Sequence, residues 1–249
     1  MVFLSNGGTQ TKALENHMYP ESRVTIHMGV NFVVSPPPTI DMDRNLNFQQ
    51  SLVGEGIDFA KVGFKEGELS VIREVPTFLQ VRVAALGPPT GQLLILAPQP
   101  QRSLGLFAKE AEAVVRAFDS TWPEKNRQVI RCDATLRDLY EASGEHAFKE
   151  LWETRLGQSP DSLQVLGRPV LGGGLRFVMP PQAHDPEPVQ IEIKIESFLK
   201  DTKKIYVETQ FTWPAPRPPR AAIDPQNRLK QVDAYVENEV ISFITGGSR

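Results

Sequence analysis

The sequence predicts a two-layer α+β fold made of two β-α-β-β-β-α units, with antiparallel sheets covered on one face by helices. Three observations predict it. The order of elements runs through once and starts again after Trp122-Pro123, the closing helices of both runs carry apolar residues at the same spacing, and the preceding strands both leave through a Pro-x-Pro.

The first strand is read from Arg23 to Val34, where Val24, Ile26, Met28, Val30 and Phe32 alternate with polar or small residues until Pro36-Pro37-Pro38 stops it. A helix follows from Asp43 to Val53, with Asp43 as N-cap and Gly54 past its end. Three strands then carry inward sets Leu69/Val71/Val75, Leu79/Val81/Val83/Ala85 and Leu93/Ile95/Ala97, and Pro and Gly separate them as in a meander. Ser103 caps the next helix, whose apolar stripe is Leu104, Phe107, Ala111, Val115 and Phe118.

The second run opens with Ile130, Cys132, Ala134 and Leu136 alternating with Arg131, Asp133, Thr135 and Arg137. Ser143 is read as the cap of a helix with Phe148, Leu151, Trp152 and Leu156 on one face. Strands with Leu175/Phe177/Met179, Val189/Ile191/Ile193/Ile195 and Ile205/Val207/Thr209/Phe211/Trp213 come next. The last helix repeats the earlier stripe as Leu229, Val232, Val236, Val240 and Phe243, each shifted by the same amount. The units therefore run over 22–122 and 123–245, with 1–21 and 246–249 read as tails, and the two sheets are expected to pair edge to edge or to pack through their helices.

Hydrophobic residues at 40% and charged residues at 23% of 249 place the chain among globular proteins able to bury a core unaided. A net charge of -3 gives no general attraction for phosphate backbones or anionic lipid. Cys132 stands alone, so no intrachain disulfide forms and a cytoplasmic setting is expected. No stretch approaches the ~18 apolar residues of a membrane span.

The segments VTIHMGVNFVVSPPP, GGGLRFVMPP, KKIYVETQFTW and VENEVISFIT resemble a sporadically distributed family of bacterial proteins of similar length, also laid out as two sheet-plus-helix halves. The resemblance implies the architecture and carries no activity onto any residue. The duplicated layout also looks like the saddle of TATA-binding proteins, an analogy of fold alone.

His27, Arg131, Asp133, Arg137 and His146 are the candidate ligand-binding residues; His27 and Asp133 are read as corresponding positions on the face turned away from the helices. Asp133, Asp138, Glu141, Glu145 and His146 form the densest run of titratable groups. A metal site there would want a second histidine, so neither metal nor cofactor is expected. Cys132 points inward as a core residue. Gly172-Gly173-Gly174 precedes strand alternation rather than a helix, which suits a turn or bulge and not a phosphate cradle. The run from Pro214 to Arg220 suits an extended connection, with an SH3-type ligand as the sharper reading.

On the outward face Arg82, Arg131, Arg137, Arg176 and Lys194 stand against Glu74, Asp133, Glu192, Glu196 and Glu208, so cross-strand ion pairs are expected and nucleic acid is not. Leu93-Leu94-Ile95-Leu96 is apolar on both faces, as in a central strand or a subunit interface. The functional expectation is a non-enzymatic binding or assembly protein that offers a sheet surface or a groove between its halves to a protein partner or another copy. The alternative is an enzyme or small-ligand binder with a polar site between the halves, and a cleft lined by His27, Arg131 and Asp133 would mark it.

Overall fold

The alternating segments that open the two runs of elements pair across the middle of one sheet. The computed structural model describes residues 18–214 and 223–246. Its strands are β1 (Met18–Ser35), β2 (Lys61–Lys65), β3 (Glu68–Arg73), β4 (Leu79–Gly87), β5 (Thr90–Pro98), β6 (Gln128–Ala142), β7 (Gly174–Met179), β8 (Gln190–Ser197) and β9 (Lys204–Trp213). They form a nine-stranded antiparallel sheet in the order β2-β3-β4-β5-β1-β6-β9-β8-β7. The two halves meet edge to edge through β1 and β6.

The register is two-fold about one residue pair. Val30 faces Ala134, Met28 faces Leu136 and Phe32 faces Cys132. One strand further out, Ala97, Ile95 and Leu93 stand opposite Met28, Val30 and Phe32, while Trp213, Phe211 and Thr209 stand opposite Cys132, Ala134 and Leu136. Pro98 and Pro214, the first residues of the two Pro-x-Pro runs, thus follow Ala97 and Trp213 at equivalent places. In this register the counterpart of His27 is Arg131 and that of Asp133 is Gly29, so His27 and Asp133 share a face without corresponding to each other.

Helices α1 (Met42–Gly54), α2 (Leu104–Thr121), α3 (Ala147–Lys149, continued as a π-helical turn Glu150–Arg155), α4 (Pro225–Tyr235) and α5 (Ile241–Thr245) cover one face. Burial removes alternate strand residues and one stripe of each long helix from water, which is the main driving force for such a layer. One core joins the halves: Phe32, Val83, Ile95 and Phe118 share it with Cys132, Phe211, Trp213 and Leu229. A second cluster gathers Met18, Tyr140, Leu151, Ile195, Val207, Val240 and Ile244.

Several elements differ from the sequence reading. β1 begins at Met18, which is fully buried and faces Ala142, so the segment read as a tail enters the sheet four residues before residue 22. Asp41, not Asp43, caps α1 by accepting from the Arg44 amide at 2.7 Å. β2 has no counterpart in the sequence reading, its short Lys-flanked run being interrupted by Gly63, and Val75 lies outside β3 with its side chain exposed. In β6 a register shift lets Val129 take the core position expected of Ile130. Ser143 does not cap a helix; its hydroxyl donates to the buried Glu150 carboxylate at 2.7 Å, which also accepts from the Gly144 amide. Between α4 and α5 a π-helical turn at Val236–Val240 inserts an extra residue into the stripe, so Ile244 is buried and Phe243 is 38% exposed. Gly174 opens β7 against Ile195 and Glu196 and starts no helix. The stretch 215–220 lies outside the described residues, and so do 247–249.

Candidate functional site on the open face of the sheet

Because side chains alternate across a strand, the residues between the core positions line the opposite face, and among the described residues no helix packs there. Four of the five candidate residues meet on its central strands: His27 on β1 and Arg131, Asp133 and Arg137 on β6. His146 does not join them. It lies beyond β6 at the start of α3, in a cleft of about 670 Å³ lined also by Phe148, Trp152, Glu153 and Arg168.

Two lateral ladders cross the face. In the first, Gln92 donates to Asn31 at 2.8 Å and Asn31 donates to Asp133 at 2.9 Å, while Thr212 donates to Asp133 at 2.7 Å and Gln210 to Thr212 at 3.4 Å. Arg131 donates to the same carboxylate at 3.0 Å, so Asp133 is only 8% exposed on an otherwise open face, with its oxygens satisfied by three partners.

The second ladder is ionic and follows one cross-strand row. His27 faces Arg137, Arg137 faces Glu208, Glu208 faces Lys194 and Lys194 faces Arg176. Arg137 and Lys194 each approach Glu208 at 2.5 Å, the Tyr206 hydroxyl donates to it at 2.8 Å, and Arg176 closes on Glu192 at 2.9 Å. Burial alone would raise the Glu208 pKa, but the bonds from Lys194 and Tyr206 and the charge of Arg137 hold it below the usual carboxylate value. Tyr206 is driven up by its burial and by donating to Glu208. His27 is pushed down to about 4 by desolvation and by the Arg137 charge, against a smaller opposing effect of Glu208. It is therefore neutral near neutral pH.

The remaining space is apolar. β5 is a central strand between β4 and β1, and its Leu94 and Leu96 are half-buried on this face. Leu96 lies across Gly29, where an added Cβ would meet its Cδ2 at 2.8 Å and the His27 Nε2 at 3.1 Å.

The other titratable residues of the dense run are dispersed. Asp138 turns to the helix face, fully buried, and accepts from Thr25 at 2.6 Å and from Arg23, which also bridges to Asp233 on α4 at 2.8 Å. Glu141 approaches Lys204 at 3.5 Å. Among the described residues no group of three or more His, Cys, Asp or Glu is placed to hold a metal ion. Cys132 is buried in the core, and that burial pushes its thiol pKa up, away from nucleophilic use.

Asn31, Gln92, Tyr206 and Thr212 complete the ladders and were not singled out by sequence reasoning. Their outward parity was readable from the alternation, but the β6–β9 register that sets Tyr206 and Thr212 beside Glu208 and Asp133 was not. Besides that cleft, cavities are lined by Phe177 and Tyr235, by Asn47 and Ser120, and by Pro36 and Trp122; none of the four is lined by His27, Arg131, Asp133 or Arg137.

No protein-family model matches the chain, and no curated protein matches it. Among solved structures it is similar to DynU16, a protein of the dynemicin biosynthetic locus, at 11% identity and a TM-score of 0.24, over 89% of this chain and 99% of that one. A score that low carries no argument about fold or function. Among the described residues no helix is long and apolar enough to cross a membrane.

Proposed function

We propose that this chain is a non-enzymatic binding or assembly protein whose uncovered sheet face receives a protein partner. The observation that carries the reading is a face continuous across both halves whose charged groups are already paired laterally while Leu94 and Leu96 offer apolar surface at its centre. Groups satisfied by one another lose less on being covered than groups that depend on water. Nine strands spaced ~4.8 Å apart span about 40 Å, and six residues along a strand add about 20 Å. The resulting ~800 Å² matches one side of a standard protein interface.

The same reading takes the two-fold register as the trace of an internal duplication, supported by the equivalent strand exits. It also takes the cytoplasm as the setting, supported by a single buried cysteine.

The test is a photo-crosslinking amino acid placed in the living cell at Leu94, Thr135 or Gln210 on the face, and at Lys109 or Ser120 on α2. The expected result is one discrete protein adduct from the face positions, none from α2, and loss of the adduct when Leu96→Glu is added to a chain that still folds. Equal labelling of both sets, or no adduct from the face, sinks the reading.

A further inference from the structure

The two-fold relation leaves one position in the sheet unmatched. In the first half β3 is followed outward by β2, with Val62 opposite Val71 and Phe64 opposite Leu69. Leu69 and Val71 face Val83 and Val81, just as Phe177 and Met179 of β7 face Ile193 and Ile191. A strand outside β7 would therefore place side chains opposite Phe177 and Met179. Among the described residues none lies there: β7 ends the sheet. By chain order the matching segment lies between the π-helical turn and β7. It folds instead into a 3₁₀ turn at Pro160–Leu166.

The chemistry of the two edges is opposite. β2 is bounded by Lys61 and Lys65, and pairing it with its own copy about Gly63 would set Lys61 against Lys65 of the second copy, a like-charge contact that protects the edge. β7 lacks that protection. Antiparallel pairing with its own copy about Phe177 sets Phe177 against Phe177, Leu175 against Met179 and Arg176 against Val178, with no like charges opposed. Arg176 is already held by Glu192. Exposed apolar side chains flank the edge, with Val178 at 54% and Leu199 at 71%. On the helix side a cavity of about 480 Å³ opens beneath it, lined by Phe177, Met179, Ile193 and Phe243.

We propose that a second copy of this chain lays its own β7 antiparallel beside the first, closing an isologous dimer in which each copy fills the other's unmatched strand position. This contact runs along the backbone edge of β7 and does not cover the centre of the sheet face, and Leu96→Glu leaves β7 untouched, so the two readings fail independently.

Sedimentation equilibrium at micromolar concentration tests it. The wild-type chain is expected to be a dimer, Val178→Lys to weaken the dimer at least about tenfold or abolish it, and Phe64→Lys on β2 to leave it intact. Thiol trapping tests the register. Chains carrying Arg176→Cys mixed with chains carrying Val178→Cys are expected to form a disulfide-linked dimer on mild oxidation, and neither variant alone is. Cys132 is buried and is the chain's one native cysteine, so the background is clean. A wild-type monomer, a dimer indifferent to Val178→Lys, or trapping no better in the mixture than in the single variants overturns the proposal. Open-ended growth stopped equally by Phe64→Lys also overturns it, because that result means β2-to-β7 stacking.

Discussion

His27 shows how one residue's surroundings become a measurable pH dependence. Its folded pKa of about 4 lies below the ordinary 6.5, so the unfolded chain binds the extra proton between those values. The stabilisation is present above pH 6.5 and is lost as pH falls toward 4. Allowing for the partial exposure of the ring, the loss is on the order of 1–2 kcal/mol. In urea titrations across that range the wild type is expected to lose about 1–2 kcal/mol relative to His27→Gln as pH falls; parallel curves would show that His27 is not held neutral. Gly29→Ala probes the neighbouring packing. Its Cβ collides with Leu96, so a cost of about 1–3 kcal/mol is expected, largely relieved by adding Leu96→Ala. Additive effects of the two substitutions would argue against that contact. At this scale the sequence was half legible: alternation placed Cys132 inside and His27 and Asp133 on one outer face. Which residue stands across from which depends on strand register, and a strand's alternation is the same in every even register.

At the scale of the element, the closing helices separate a shared sequence period from a shared structure. Phe118 is fully buried against Trp122 with ring centroids 5.2 Å apart. Phe243, its counterpart by spacing, sits half-out between Phe177 and the Arg155 guanidinium. Phe118→Ala is expected to cost about 3–5 kcal/mol, Ile244→Ala about 2–5 kcal/mol, and Phe243→Ala near 1 kcal/mol, all by denaturant unfolding. Equal costs at Phe118 and Phe243 would restore the simple helical register and remove the π-helical turn. The stripe was readable as far as Val240, where each step obeys the 3.6 period. The widened turn was not, because it changes backbone hydrogen bonding without a change in residue type. β2 was missed for a related reason: five residues with a central glycine give too little alternation to distinguish a strand from a loop.

For the molecule as a whole, the shared core implies one cooperative unit. Phe211, Trp213 and Leu229 of the second half pack in the same cluster as Phe32, Val83 and Ile95 of the first, so calorimetry is expected to give a single transition with equal calorimetric and van't Hoff enthalpies. Two resolved transitions would mean that the halves fold separately. Apart from β2 and the 3₁₀ turn at Pro160–Leu166, the order of elements was legible from the chain alone, since it needs only periodicity and turn residues. The single continuous sheet was not, because pairing β1 with β6 is a long-range choice that each strand's own pattern leaves open. That pairing also brings the outer ends of the described chain together, with Met18 of β1 in the same cluster as Ile244 of α5. The sequential order of the halves is therefore interchangeable: a chain joined from Gly246 to Met18 by a short linker and opened at the exposed Lys125 turn is expected to rebuild the same sheet with its second half synthesised first.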